Sequence, residues 1–161
     1  RDLYVEVETT GDFCKGATVA DFNNVLGKAP NAKVLMGIDR KAFVDLLVEA
    51  MKRLDKNRFG FVIIGKGKNK PDFSEFDNVY DFGAVYDTAI KRELFSLSDI
   101  YFQPGWVGLS IVEAMAYGKP IFTFVRSEET KQCVEYSYIQ SEYNGMLFET
   151  IEKCVDYISH I

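Results

Sequence analysis

The chain has 161 residues, of which 47% are hydrophobic and 27% charged, with a formal net charge of −5. A chain of this length buries roughly 70% of its unfolded surface and needs neither disulfide nor metal to fold as one domain. The acidic balance argues against non-specific binding to nucleic acid or to an anionic membrane, both of which favour a basic face.

Only one histidine is present, His160, so Ser-His-Asp and Cys-His mechanisms and a histidine-ligated zinc are not expected. Cys14, Cys133 and Cys154 are widely spaced and follow no metal-ligand pattern. They read as free thiols of a reducing, cytoplasmic compartment. No apolar run reaches the length of a membrane span, and no signal peptide is visible. The start at Arg1 rather than Met is read as that of a fragment or processed form.

Residues 3–9 alternate with period two, as a half-exposed strand does. Gly11-Asp12 marks a turn, residues 16–22 a second strand, and Pro30-Asn31 the approach to a third at 33–38. This pattern predicts an antiparallel β-meander over residues 1–32. From residue 33 onward, short apolar runs alternate with amphipathic stretches, which predicts an α/β domain with a mostly parallel, Rossmann-like sheet and helices on both faces. The expected strands are 33–38, 59–64, 79–82, 100–103, 121–124 and 146–148.

A helix is expected after the first of these, with Phe43, Leu46, Leu47, Ala50, Met51 and Leu54 on its inner stripe. Asp87 is placed to cap another, with Ile90, Leu94 and Leu97 inward. Ser127 is placed to cap a helix opening with Glu128 and Glu129. The last helix carries Ile151, Cys154, Val155 and Ile158. Residues 1–161 are read as one domain, with 1–32 as an appendage to the core at 33–161.

The richest segment is 104–120, from Pro104-Gly105-Trp106-Val107-Gly108 to Gly118-Lys119-Pro120. It reads as a glycine-rich turn from a strand into a helix. Backbone N–H groups of Gly108, Leu109 and Ser110 at such a helix start suit a phosphate. Glu113, one turn in, can accept hydrogen bonds from the hydroxyls of a ribose. Each feature also has a plain reading: the glycines permit a sharp turn, and the carboxylate complements the helix dipole. Trp106 could stack on a base or sugar, or pack on the sheet edge. Lys66, Lys68 and Lys70, in a loop after the 59–64 strand, are read as solvated, and Cys133 and Cys154 as small core hydrophobes.

This segment resembles the donor-binding motif of retaining glycosyltransferases of the two-Rossmann-domain (GT-B) class. With Val62-Ile63-Ile64-Gly65-Lys66-Gly67, Asn78-Val79-Tyr80-Asp81-Phe82-Gly83, Ser98 to Pro104 and Asn144 to Phe148, the resemblance extends over residues 55–150. It is to the C-terminal, nucleotide-sugar-binding domain of family 4-like members. It implies that Gly105, Gly108, Leu109 and Ser110 hold a nucleoside diphosphate and Glu113 the ribose, with the backbone of Gly83, Ala84 and Val85 against the base. The donor would be a UDP- or GDP-sugar, bound without a dedicated metal or other cofactor.

Two departures are visible. The family's arginine and lysine after the first strand have only Arg40 and Lys41 as local counterparts, at the wrong spacing from Gly37. The family's sugar-binding glutamate, eight residues before Glu113, is replaced by Gly105. The N-terminal Rossmann domain that completes the family's cleft is not in the sequence, so the expected activity is weak or nil.

A second resemblance covers residues 3–54. The segments Tyr4 to Gly11, Lys15 to Asp21, Pro30 to Val34 and Asp39 to Leu47 are similar to the C-terminal tail of nucleoside hydrolases. That family's calcium-binding aspartates lie upstream of this tail and are absent, so no hydrolase activity is implied. The two patterns meet in the helix ending at Leu54, which suggests a fused or designed chimera. The alternative function is accordingly a folded chain with no catalytic activity.

Overall fold

The structure, a computed structural model, describes residues 4–6, 33–34, 41–67, 70–126 and 132–161. Seven strands form one sheet: β1 (Tyr4–Glu6), β2 (Lys33–Val34), β3 (Phe59–Ile64), β4 (Val79–Asp81), β5 (Tyr101–Phe102), β6 (Ile121–Phe124) and β7 (Gly145–Phe148). Four α-helices accompany them among the described residues: α1 (Lys41–Arg53), α2 (Thr88–Leu97), α3 (Ser110–Ala116) and α4 (Ile151–Ser159). A short 3-10 helix spans Val134–Tyr138.

Every strand pairing is parallel. All six residues of β3 are buried, the continuous apolar run expected of a strand covered on both faces. β3 pairs with β4 over Phe61–Ile63, with β1 over Val62–Ile64, and with β2 lower down at Phe59–Gly60. β1 continues to β5, and β5 to β6 and β7. Chain order therefore runs one way from β1 through β3 to β4, and the opposite way from β5 to β7.

At β1 the structure departs from the expected arrangement. Tyr4–Glu6 lies parallel between β3 and β5 rather than in an antiparallel meander. Residues 7–32 and 35–40 lie outside the described residues, as do the other strands expected there and the helix expected at Ser127–Glu129.

The helices follow their sequence signals. In α1, Leu47, Ala50 and Met51 are buried, followed by Leu54 just beyond it. Asp87 caps α2, its carboxylate accepting from the N–H groups of Ala89 (2.7 Å) and Ile90 (3.3 Å). The α2 face is wider than expected, because Phe95 is buried beside Leu94 and stacks on Tyr117 at 4.4 Å between ring centroids. α3 ends in a Schellman motif: Gly118 adopts φ +70°, its N–H bonds to Met115 O, and Lys119 N–H reaches back to Ala114 O. The Lys119 ammonium then donates to Ser98 O at 2.6 Å; burial lowers its pKa, with the Asp99 charge opposing.

Cys154, on the inner side of α4, is buried, and burial pushes its thiol pKa well up. The thiolate is the reactive form, so a maleimide at pH 8 is expected to leave Cys154 unlabelled until denaturant is added. Peptide mass spectrometry checks this, and rapid labelling of the native chain would contradict the packing of α4 on the sheet. Cys133 is only half-buried, so the reading of it as a core residue is corrected.

Candidate functional site

Strand order reverses between β1 and β5, and in open α/β sheets the crevice at the carboxyl ends of the strands beside such a reversal takes ligands. Three described turns emerge at carboxyl ends on the two sides of this reversal, after β3 (residues 65–67 and 70), β4 (82–87) and β5 (103–109).

The turn after β5 is the glycine loop, and two glutamines fix its shape. Gln103 is buried; its amide donates to Trp106 O (2.7 Å), and its carbonyl accepts from the Ser110 hydroxyl (3.1 Å). Gln132 accepts from the Val107 N–H (2.7 Å) and donates to Gly105 O (3.2 Å). Cys133 N–H adds a bond to Val107 O. The loop is thus held by side chains instead of regular structure. Neither glutamine is a site candidate in the sequence. Gln103 carries a trace, a polar residue ending the apolar run 100–102, where a buried amide must find partners.

The two glycine turns have different causes. Gly83 has φ +62°, its N–H bonds to Asp81 Oδ1 (2.9 Å), and its carbonyl accepts from the Gly65 N–H. Its conformation explains the glycine. Gly108 has no such explanation. Its φ lies outside the left-handed region, and a Cβ there would meet no described atom within 4 Å. Among the described residues, nothing covers the backbone at Gly108. The N–H groups of Gly108, Leu109 and Ser110 donate to no acceptor among the described residues.

Glu113 sits one turn into α3 and is half-buried. Both of its oxygens accept from the Lys91 ammonium of α2, at 3.2 and 3.1 Å. Lys91 is a third residue of this region that is not a site candidate in the sequence. Because α2 begins directly after the 83–87 turn, Lys91 ties the element behind Gly83, Ala84 and Val85 to the carboxylate on α3.

Lys70 is not solvated as expected. Its side chain is 13% exposed, and its ammonium bonds Gly65 O (2.8 Å) and Asp81 Oδ1 (2.5 Å), clasping the turns after β3 and β4 together. Trp106 is half-buried, with its indole N–H directed to Cys133 Sγ, so it packs at the loop base. Arg40, like Lys68, lies outside the described residues, and Lys41 is described only as the first backbone residue of α1.

A cavity of about 210 Å³ lies elsewhere, between the end of α1 and the segment entering β4, with Met51, Lys52, Phe76 and Asp77 in its wall. It is at the amino ends of the strands and shares no residue with the glycine loop. Among the described residues no helix is long and apolar enough to cross a membrane.

A parallel sheet with a side-chain-braced glycine loop beside its reversal point defines a Rossmann-like class of domain. The family is narrower: the chain belongs to the group 1 glycosyl transferases, whose family model matches residues 35–161. Its fold is that of the C-terminal domain of GT-B glycosyltransferases. It superposes with a TM-score of 0.63 and 18% identity on WaaG, a glycosyltransferase involved in lipopolysaccharide biosynthesis, covering 88% of this chain and 40% of that one. On Anabaena Alr3699/HepE, solved with UDP and glucose, the TM-score is 0.57 at 16% identity, covering 91% and 43%. The same protein solved with UDP-glucose gives 0.57 over 91% and 44%. The chain thus spans about two-fifths of these structures.

Curated relatives match another way. The pyrimidine-specific ribonucleoside hydrolase RihA of Escherichia fergusonii is 47% identical over 51 residues, which is 32% of this chain and 16% of that protein. RihA of Salmonella arizonae matches to the same extent. The chain spans under one-fifth of these relatives' length, in a stretch about as long as the segment resembling the hydrolase tail.

Proposed function

We propose that this chain is the donor half of a retaining glycosyltransferase and binds a nucleotide-sugar at the carboxyl end of its sheet. The observation that carries this is the open space over Gly108, on a loop held in place by two buried or half-buried glutamines. A glycine with neither a positive φ nor a close protein neighbour makes sense where a bulky anion must approach the backbone. Gly108, Leu109 and Ser110 present N–H groups to the diphosphate, Gly105 shapes the entry, and Glu113 receives the ribose hydroxyls. The backbone of Gly83, Ala84 and Val85 borders the base.

Alr3699/HepE was solved with UDP and UDP-glucose, which favours UDP over GDP as the first probe here. By its resemblance to the GT-B class, the chain is taken to bind the donor without a dedicated metal. The acceptor site belongs to a separate Rossmann domain, as in the parent class, and the chain by itself is expected to transfer no sugar. Arg40 and Lys41 are the nearest basic candidates for the diphosphate by sequence.

Titration calorimetry with UDP tests the proposal. Glu113→Gln should weaken binding by about 1–3 kcal/mol, the usual range for losing hydrogen bonds to a charged group. Chemical-shift perturbations should fall on residues 83–86 and 105–113. An unchanged affinity, or perturbations confined to the cavity beside Phe76, would remove the ribose assignment.

The RihA identity favours a second, compatible reading of the N-terminal part. We read residues 3–54 as sharing descent with a hydrolase tail and contributing structure, through β1 and β2, instead of chemistry.

A further inference from the structure

We propose that Lys91 is a resident competitor for the ribose seat: its ammonium occupies Glu113 in the free chain and is exchanged for the nucleotide's 2′- and 3′-hydroxyls on binding. Lys91 then sets how strongly the site selects a diol. The proposal rests on the reading of Glu113 as the ribose ligand.

The geometry of the pair carries it. Lys91 Nζ stands 3.2 Å from one Glu113 oxygen and 3.1 Å from the other. A cation placed so evenly lies between the two oxygens, across the outer edge of the carboxylate. A vicinal diol binds a carboxylate from that same edge, one hydroxyl to each oxygen. The carboxylate has further lone pairs, but those point away from the shared edge. Ammonium and diol therefore cannot both be chelated there.

The pair is also placed for exchange. The Lys91 and Glu113 side chains are 19% and 33% exposed, so neither charge is sealed in the core. Lys91 is on α2, and a flexible four-carbon stem lets its ammonium withdraw without moving the helix. The carboxylate, in contrast, is on the helix that continues the braced glycine loop.

The test compares UDP with 2′-deoxy-UDP on the full chain by calorimetry. The ratio of the two dissociation constants reports diol recognition, and any direct attraction between Lys91 and the phosphates cancels in it. The wild-type ratio should be small, about 3, because the diol must displace Lys91. In Lys91→Met it should rise to about 10 or more, the worth of a recovered charge-assisted hydrogen bond. Lys91→Gln serves as a second variant, and thermal melts confirm that each is folded.

In Glu113→Gln the ratio should fall to about 1, with or without Lys91. A ratio in Lys91→Met that stays level or drops, while Glu113→Gln still abolishes discrimination, would overturn the competitor role and leave the ribose reading standing. A ratio that Glu113→Gln does not change would overturn both.

Discussion

Gly145→Ala is expected to destabilise the domain by about 3 kcal/mol or more, the upper part of the range for overpacking a well-packed interior. β7 runs parallel to β6 with Gly145 directly opposite Ile121. A Cβ on Gly145 would stand 2.0 Å from Ile121 O, 2.9 Å from Ile121 C and 3.1 Å from Ile121 N. These are backbone atoms, and no rotamer change moves them aside. β7 would have to lift off β6, disturbing the ring cluster of Phe122, Phe148 and Tyr157 whose centroids lie 5.5 to 5.8 Å apart. For a chain of this length that loss lowers the melting temperature by about 6–12 °C. Gly118→Ala is the control, because its site is open and carries only the penalty of φ +70°, about 1 kcal/mol. Urea unfolding of the two variants checks the contrast. A loss under 1 kcal/mol for Gly145→Ala would mean that the β6–β7 spacing is wrong.

Gly145 also shows how a correct sequence signal can have another cause. Asn144-Gly145 reads as a turn, and a turn is there. Asn144 makes it, accepting from Gln140 N–H (2.7 Å) and donating to Tyr138 O (2.9 Å). Gly145 is already in the strand, and its missing side chain is needed for close approach. The strands β3, β5, β6 and β7, the inner faces of α1, α2 and α4 and the Asp87 cap are legible in the sequence, because each is encoded within a few neighbouring residues.

The direction of the N-terminal strand was not legible. Alternation in residues 3–9 reports which side chains share a face, and says nothing of which strand lies alongside or which way it runs. The site divides in the same way. Gly105, Gly108, Ser110 and Glu113 are contiguous and could be read together. Their partners Gln132 and Lys91 are 25 and 22 residues from the atoms they hold, so no local pattern points to them. Lys70 was misread for a related reason: a lysine-rich loop looks solvated until the fold brings Asp81 beneath it.

Gly108→Val is expected to do the reverse of Gly145→Ala: to leave the fold intact and weaken UDP binding by about tenfold or more. Its φ is outside the left-handed region, so a side chain introduces no backbone strain. A Cβ there meets no described atom within 4 Å, so it displaces none of the described residues. Replacing glycine at a compatible position also restricts the unfolded chain, which is worth about 0.4–1 kcal/mol for alanine. Stability should therefore hold or rise slightly for Gly108→Ala and hold for Gly108→Val. Binding should respond in the opposite order. The space that a methyl group enters is the space through which a diphosphate would reach the N–H groups of Gly108, Leu109 and Ser110. Alanine should weaken UDP several-fold, and valine, with two more carbons at that opening, by at least about tenfold, equivalent to about 1.4 kcal/mol. Denaturant melts and calorimetry on the same preparations separate the two effects. Full UDP affinity in a folded Gly108→Val would show that the loop's glycine serves folding in a way its geometry does not explain, and would move the diphosphate away from α3.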